Sequence, residues 1–154
     1  MYNITCCSFQ DLSLQALYDI MVLRQEIFVV EQNCPFIDAD GKDQDSWHYC
    51  MRNDKGALVA YTRLLPEGLA YEGYTSIGRV VNAASVRGTG IGKVLMQGSI
   101  DKLHELFGRQ HDIKIGAQTY LLGFYESFGF VSTGEAYLED GIPHTHMILE
   151  NNPK

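Results

Sequence analysis

No stretch of this chain is long and apolar enough to cross a bilayer. The longest unbroken apolar run, Ala57-Leu58-Val59-Ala60-Tyr61, falls far short of the roughly 20 residues a membrane span requires. Met1-Tyr2-Asn3-Ile4-Thr5-Cys6-Cys7 lacks the basic start and apolar stretch of a secretory signal, so none is expected. Cysteine is scarce, and its spacing suits no metal knuckle or disulfide framework. Cys6, Cys7, Cys34 and Cys50 form no CxxC, and free thiols in a reducing cytoplasm are expected. Basic charge is short as well. Twelve Lys+Arg against nineteen Asp+Glu leave a net charge of −7, which argues against a nucleic-acid partner and against a polybasic membrane surface role. Repeats, linkers and low-complexity segments are missing too. With 154 residues, 45% of them apolar, the chain reads as a single domain over residues 1–154 with a core of its own.

What is present is a clear alternation of periods. Asn3–Phe9 alternates like a strand. Leu12, Leu14, Leu17, Tyr18, Met21, Val22, Ile27 and Phe28 recur at helical steps, with Asp11 or Ser13 as N-cap, until Pro35. Trp47–Arg52 and Ala57–Leu65 read as a hairpin whose Trp47 and His48 anchor it in the core, and Tyr74–Asn82 as another strand. Ile91, Val94, Leu95, Leu103, Leu106 and Phe107 form a long helical stripe. Asp112–Ala117 is a short strand, Thr119–Phe128 a short helix, and Phe130–Leu138 and His144–Leu149 a closing hairpin. The fold class is therefore α/β (mixed α+β). Tyr74–Asn82, the long helix and Asp112–Ala117 make a βαβ unit, which predicts that those two strands are parallel.

Between strand and long helix lies Arg87-Gly88-Thr89-Gly90-Ile91-Gly92-Lys93. A glycine turn at a helix N-terminus presents free N–H groups and a positive dipole end to an anion. Walker A spacing fails, because Gly88 and Gly92 have too few residues between them and Val94 follows Lys93. A dinucleotide fingerprint fails, because Lys93 stands where its third Gly belongs. Arg87-x-x-Gly90-x-Gly92 does fit Arg/Gln-x-x-Gly-x-Gly/Ala, and Phe124-Tyr125-Glu126-Ser127-Phe128-Gly129-Phe130 follows after a helix and a strand. The two together resemble the GNAT superfamily of acyl-CoA N-acyltransferases. The stretches Leu23–Gln32, Asp40-Gly-Lys-Asp43, Ala60–Pro66, Ile77-Gly-Arg-Val-Val81 and Glu139–His144 resemble its ElaA-like branch.

That resemblance implies a central mixed, mostly antiparallel sheet with a splayed parallel strand pair and helices on both faces. It implies acetyl-CoA as co-substrate, no metal, and transfer of an acetyl group to a small-molecule or peptide amine in a ternary complex. The donor would lie on Val80, Val81, Arg87, Gly88, Thr89, Gly90, Ile91, Gly92, Lys93, Gln118 and Phe124. A backbone N–H near Val81 would serve the oxyanion, and Tyr125 would act as general acid. The amine would approach near Glu26, Glu31, His144 and His146. A homodimer is compatible with the resemblance.

Several residues have two readings. Tyr125 is either that acid or an aromatic whose hydroxyl makes one structural hydrogen bond. The strand before the glycine turn has Ser76, Ile77 and Gly78 where many members of the superfamily place a Glu, and Glu72 lies before it. The base would then be Glu26, Glu31, a water held by His144 or His146, or bulk water, and an imidazole titrates near working pH. His144-x-His146 has no third ligand at metal spacing. Asp38–Asp45 fails the EF-hand pattern and reads as a solvated loop, or as a rim that attracts a cation. The window from Gly73 to Ile100 has no Asp or Glu and carries Arg79, Arg87 and Lys93, which suits a polyanionic donor. Two other readings stay open. One is acyl transfer like that of acyl-homoserine-lactone synthases, and the other is a CoA-binding regulatory domain without turnover.

Overall fold

The computed structural model describes residues 1–152. The elements are β1 (Asn3–Ser8), α1 (Leu14–Arg24), β2 (Trp47–Arg52), β3 (Leu58–Leu65), β4 (Ser76–Asn82), α2 (Ile91–Phe107), β5 (Ile113–Gln118), α3 (Leu122–Glu126), β6 (Val131–Glu139) and β7 (Ile142–Leu149). Their order and approximate bounds are those the periodicities predict. Of the two candidate N-caps for α1, Ser13 is the cap, its Oγ accepting the Ala16 N–H at 3.0 Å. The helical stripe that continues past Arg24 becomes a π-helical turn, Gln25–Glu31, before the chain turns at Asn33 with φ 49°.

The expected central sheet is divided. β1-β2-β3-β4 form one antiparallel sheet and β5-β7-β6 another. β4 and β5 are parallel neighbours, as the βαβ unit requires, but they meet only at Thr75 and Ile113. There Thr75 N donates to Asp112 O at 3.1 Å and Lys114 N to Thr75 O at 2.9 Å. Beyond that hinge they part. The cause is local: β4 shifts register between the partners of Tyr61 and Arg63, and Arg79 takes the left-handed φ of 48°. Such a bulge, here in the β3–β4 ladder, bends its strand and leaves the extra residue unpaired.

Helices cover both faces of the first sheet. Ile91, Leu95, Met96, Ser99, Ile100 and Leu103 recur at three- and four-residue steps along α2 and are buried. They pack with Tyr49, Met51, Leu64 and Ile77, and the core continues to Ile113, Ile115 and Met147 of the second sheet. Ser99 Oγ donates to Leu95 O at 2.7 Å and accepts from Thr62 Oγ1 at 2.6 Å, so its burial leaves no bond unmade. Gly98 lies against the Tyr49 hydroxyl in the place a Cβ would fill. On the opposite face Ile20 and Leu23 of α1 close over Cys50, Tyr61 and Val81. Among the described residues no helix is long and apolar enough to cross a membrane.

Candidate active site

The parting of β4 from β5 opens a cleft of about 840 Å³ that runs from the glycine turn to the β6–β7 hairpin. At the first end, Gly88 and Gly90 have φ of 78° and 85°, and Gly90 caps α2. A Cβ at either would meet no protein atom, so it is the left-handed backbone that calls for glycine there. Thr89 N and Lys93 N bond within the turn, to Val86 O at 3.4 Å and Gly90 O at 3.3 Å, which takes them out of the expected cradle. Among the described residues no turn bond uses the N–H of Gly88, Gly90, Ile91 or Gly92, the last two being orphan donors of the α2 N-terminus. Gly92 packs where its Cβ would stand 3.4 Å from Asn82 Nδ2 and 3.6 Å from the Phe124 ring. Asn82 Oδ1, buried beside it, finds no partner among the described residues. Orphan donors at a helix start with an orphan acceptor beside them fit a phosphorylated donor bearing amide N–H groups.

The acid-free window is not a bare cationic patch. Arg87 pairs with Glu31 from the end of the π turn, and both side chains are half-exposed. This brings Glu31 beside the glycine turn, because the π turn carries it there. Arg79 Nε lies 2.9 Å from Asp38 Oδ1, and its Nη2 donates to Asp38 O at 2.9 Å. Among the described residues, Lys93 alone of the three window cations lacks a carboxylate partner.

The acidic loop is exposed in part, but three of its carboxylates are held by arginines. Asp43 receives Arg24 Nη1 at 2.7 Å and Arg63 Nη1 at 2.9 Å. Asp40 receives Arg63 twice, both bonds at 2.8 Å, and Asp38 receives Arg24 Nε at 2.6 Å. Loop, α1, β3 and the β4 bulge are thus joined by a charge-balanced Arg–Asp network. Burial alone would raise the Asp40 and Asp43 carboxyls, but the arginines hold Asp40 well below the ordinary range and lower Asp43 as well, so both are spoken for by the network. His48 sits beneath. Its Nε2 donates to Asp43 O at 2.9 Å, so its Nδ1 accepts the Tyr61 hydroxyl at 2.7 Å, and burial pushes its pKa below the usual 6.5.

Tyr125 of α3 lines the middle of the cleft with Val80 and Val81 of β4. Its ring meets Phe124 and Phe130 edge-on at 5.2 and 6.1 Å. Burial, with Tyr120 nearby, pushes the phenol up to about 12. The hydroxyl therefore stays protonated, and among the described residues it has no structural hydrogen bond. Gln118 ends β5 opposite His144 and reaches Gln32 Oε1 at 3.5 Å, between the two ends of the cleft.

At the far end His144 Nδ1 donates to Ile142 O at 2.7 Å, which leaves Nε2 to face Glu139 Oε2 at 3.5 Å. His146 Nδ1 lies 3.3 Å from Glu135 Oε2. Glu26 is exposed outside the cleft, whereas Ile27, Phe28, Glu31 and Gln32 of the same segment border it. Tyr71 and Tyr137 line this end and carry no motif. The one available signal is the turn Glu139–Pro143, whose register sets Tyr137 opposite His144. Among the described residues no three His, Cys, Asp or Glu side chains gather as a metal site.

Comparison with known proteins agrees with this geometry. The family model of the acetyltransferase (GNAT) domain matches residues 37–151. Protein ElaA of Escherichia coli K12 is 41% identical over 143 residues, 91% of each chain, and its crystal structure superposes with a TM-score of 0.89 over 97% of this chain and 100% of that one. An acyl-CoA N-acyltransferase from Pseudomonas aeruginosa, 40% identical, also superposes at 0.89, over 97% of this chain and 99% of its own. A CoA-dependent acyl-homoserine lactone synthase, at 16% identity and a TM-score of 0.79 over 99% of this chain and 84% of that one, shares the fold alone. With a family model over most of its length and such relatives beside it, the chain belongs to the GNAT family of acyl-CoA N-acyltransferases, in its ElaA-like branch.

Proposed function

We propose that residues 1–154 form one N-acetyltransferase domain that moves an acetyl group from acetyl-CoA to a primary amine by direct attack. The observation that carries this is the cleft itself, which joins the glycine turn, Tyr125 and His144 in one space between β4 and β5. Gly88, Gly90, Ile91 and Gly92 offer N–H groups to the pyrophosphate, with Lys93, Arg87 and the dipole of α2 behind them. Val80 and Val81, on the side of β4 that has left β5, receive the pantetheine arm as an added strand. Phe124 borders that arm, and the donor supplies an activated thioester.

His144 takes the proton. With Nδ1–H held by Ile142 O, its Nε2 accepts a proton from the incoming ammonium, and the resulting imidazolium faces Glu139. The freed nitrogen lone pair forms the new C–N bond at the acyl carbon, and a β4 backbone N–H near Val81 steadies the oxyanion. The C–S bond breaks, the departing sulfur takes the Tyr125 phenolic proton, and the second proton shed by the attacking nitrogen passes to solvent, from which the phenol is reprotonated. All four cysteines are free, which supports a reducing compartment such as the cytoplasm.

The test is transfer of label from acetyl-labelled CoA to a panel of amines. Label on the amine nitrogen is expected. Tight CoA binding with no transfer across a broad panel would favour a regulatory domain, and transfer that needs S-adenosylmethionine and long acyl donors would favour lactone-synthase chemistry.

A further inference from the structure

The acceptor end of the cleft is walled by rings. Tyr137 stacks on His144, centroids 5.5 Å apart, and lies 4.4 Å from the ring of His146. Tyr71 meets His146 edge-on at 5.5 Å. Gly116 of β5, opposite His146 in register, makes this wall fit. A Cβ there would collide with the Tyr137 hydroxyl and stand 3.2 Å from that of Tyr71. Two phenols converge on the strand because glycine leaves the space.

The charge beside this wall is negative. Glu139 and Asp140 border the cleft, and Glu135 stands behind His146. Arg63 and Arg79 border it too, but Asp38, Asp40 and Asp43 already hold their guanidinium groups, and Glu31 holds Arg87. Lys114 Nζ is laid over the Tyr71 and Tyr74 rings at 5.1 and 5.4 Å. Lys42, which borders the cleft from the network loop, has no carboxylate partner among the described residues and is the one cation there that could greet an anion. An acceptor bearing its own carboxylate would otherwise meet Glu139 and Asp140 with no arginine to spare.

We propose that the acceptor is a small arylalkylamine without a carboxylate, its ring lying along Tyr137, His146 and Tyr71 and its ammonium drawn in by Glu139. This rests on the acyltransferase reading and narrows it. An amine proton lost to His144 leaves beside the carboxylate that received the cation, so binding and deprotonation share one corner of the cleft.

Matched pairs test it directly. Phenethylamine against phenylalanine, and tyramine against tyrosine, differ only in the carboxylate. With acetyl-CoA saturating, kcat/KM from thiol release is expected to favour each amine over its amino acid by about tenfold or more. Glu139→Gln is expected to shrink that ratio several-fold while the KM for acetyl-CoA holds, and Lys42→Met, which removes the one cation there that could greet a carboxylate, is expected to leave the ratio as high or higher. The ratio cancels any loss of kcat common to both members of a pair. Amino acids used as well as or better than their amines, or a ratio untouched by Glu139→Gln, overturn the proposal and leave the acyltransferase reading standing. A preference for putrescine over phenethylamine overturns the aromatic half of it. Absence of turnover with every amine takes both readings down together.

Discussion

The two ends of the cleft are built by opposite means. The end proposed for the donor is backbone: left-handed glycines, orphan N–H groups and a helix start, all within Gly88–Lys93. The end proposed for the acceptor is side chain: Tyr71, Tyr137, His144 and Glu139, packed where Gly116 leaves room and gathered from the second sheet and from the loop between β3 and β4. A backbone site binds what every donor of its class shares, such as a pyrophosphate. A side-chain site can be rebuilt by single substitutions, which is how one fold serves many acceptors. The charges differ in the same way. The donor end keeps an exposed, displaceable pair, Arg87–Glu31, while the network behind the acceptor end is buried and fixed.

The largest effect is expected where the ends meet. Tyr125→Phe should lower kcat by about 100-fold or more, the usual reach of a general acid, with the KM for acetyl-CoA within about twofold. Steady-state kinetics decide it, and an unchanged kcat removes Tyr125 from the chemistry. Next comes the contrast of charges. Asp43→Ala takes from Arg24 and Arg63 the carboxylate they share and leaves one buried positive charge uncompensated, which should cost about 3–5 kcal/mol of stability. Glu31→Gln, at the exposed pair, should cost less than about 1 kcal/mol. Urea midpoints of the two variants measure this, and similar losses would erase the distinction between the ends.

Gly90→Ala forces a side chain into a left-handed residue, a strain of about 1–2 kcal/mol. It should weaken acetyl-CoA binding or lower stability by that amount and leave the KM for the amine unchanged. Equal damage to both substrates would mean that the ends are not separate. The smallest effect is in pH. His48 is held neutral, below its unfolded pKa of 6.5, so its contribution is whole above pH 6.5 and is lost as pH falls and the unfolded chain takes up the proton. Asp40 and Asp43, lowered from 3.8, add a second loss below about pH 4. A Tm that declines from pH 7 to pH 5, and more steeply below pH 4, is expected. A level Tm over that range contradicts the network as described.

The same contrast explains what could be read in advance. The element order was legible because strand and helix periods are local, and the donor turn because its motif spans Arg87 to Gly92. The parting of β4 from β5 was expected only through the family resemblance, since Arg79 adopts φ 48°, a conformation its residue type does not announce. The network was hidden in a different way. Arg24 falls inside an apolar helical stripe, and Asp38–Asp45 has the composition of a solvated loop until Arg63 and Arg79 are seen to reach it. Glu26 and Glu31 share a segment, yet the π turn sends only Glu31 to the cleft. Tyr71 and Tyr137 could be found only through the register of the hairpin and the missing Cβ at Gly116.

The central claim is that donor and amine meet in one cleft and react without an acyl-enzyme. Cys34 is the cysteine that borders the same space, although burial and Asp140 push its pKa up and so keep the thiolate scarce. Initial rates measured with acetyl-CoA and amine varied together test this most directly. The account predicts double-reciprocal lines that intersect, the pattern of a ternary complex. Parallel lines, lost on Cys34→Ala, would contradict it.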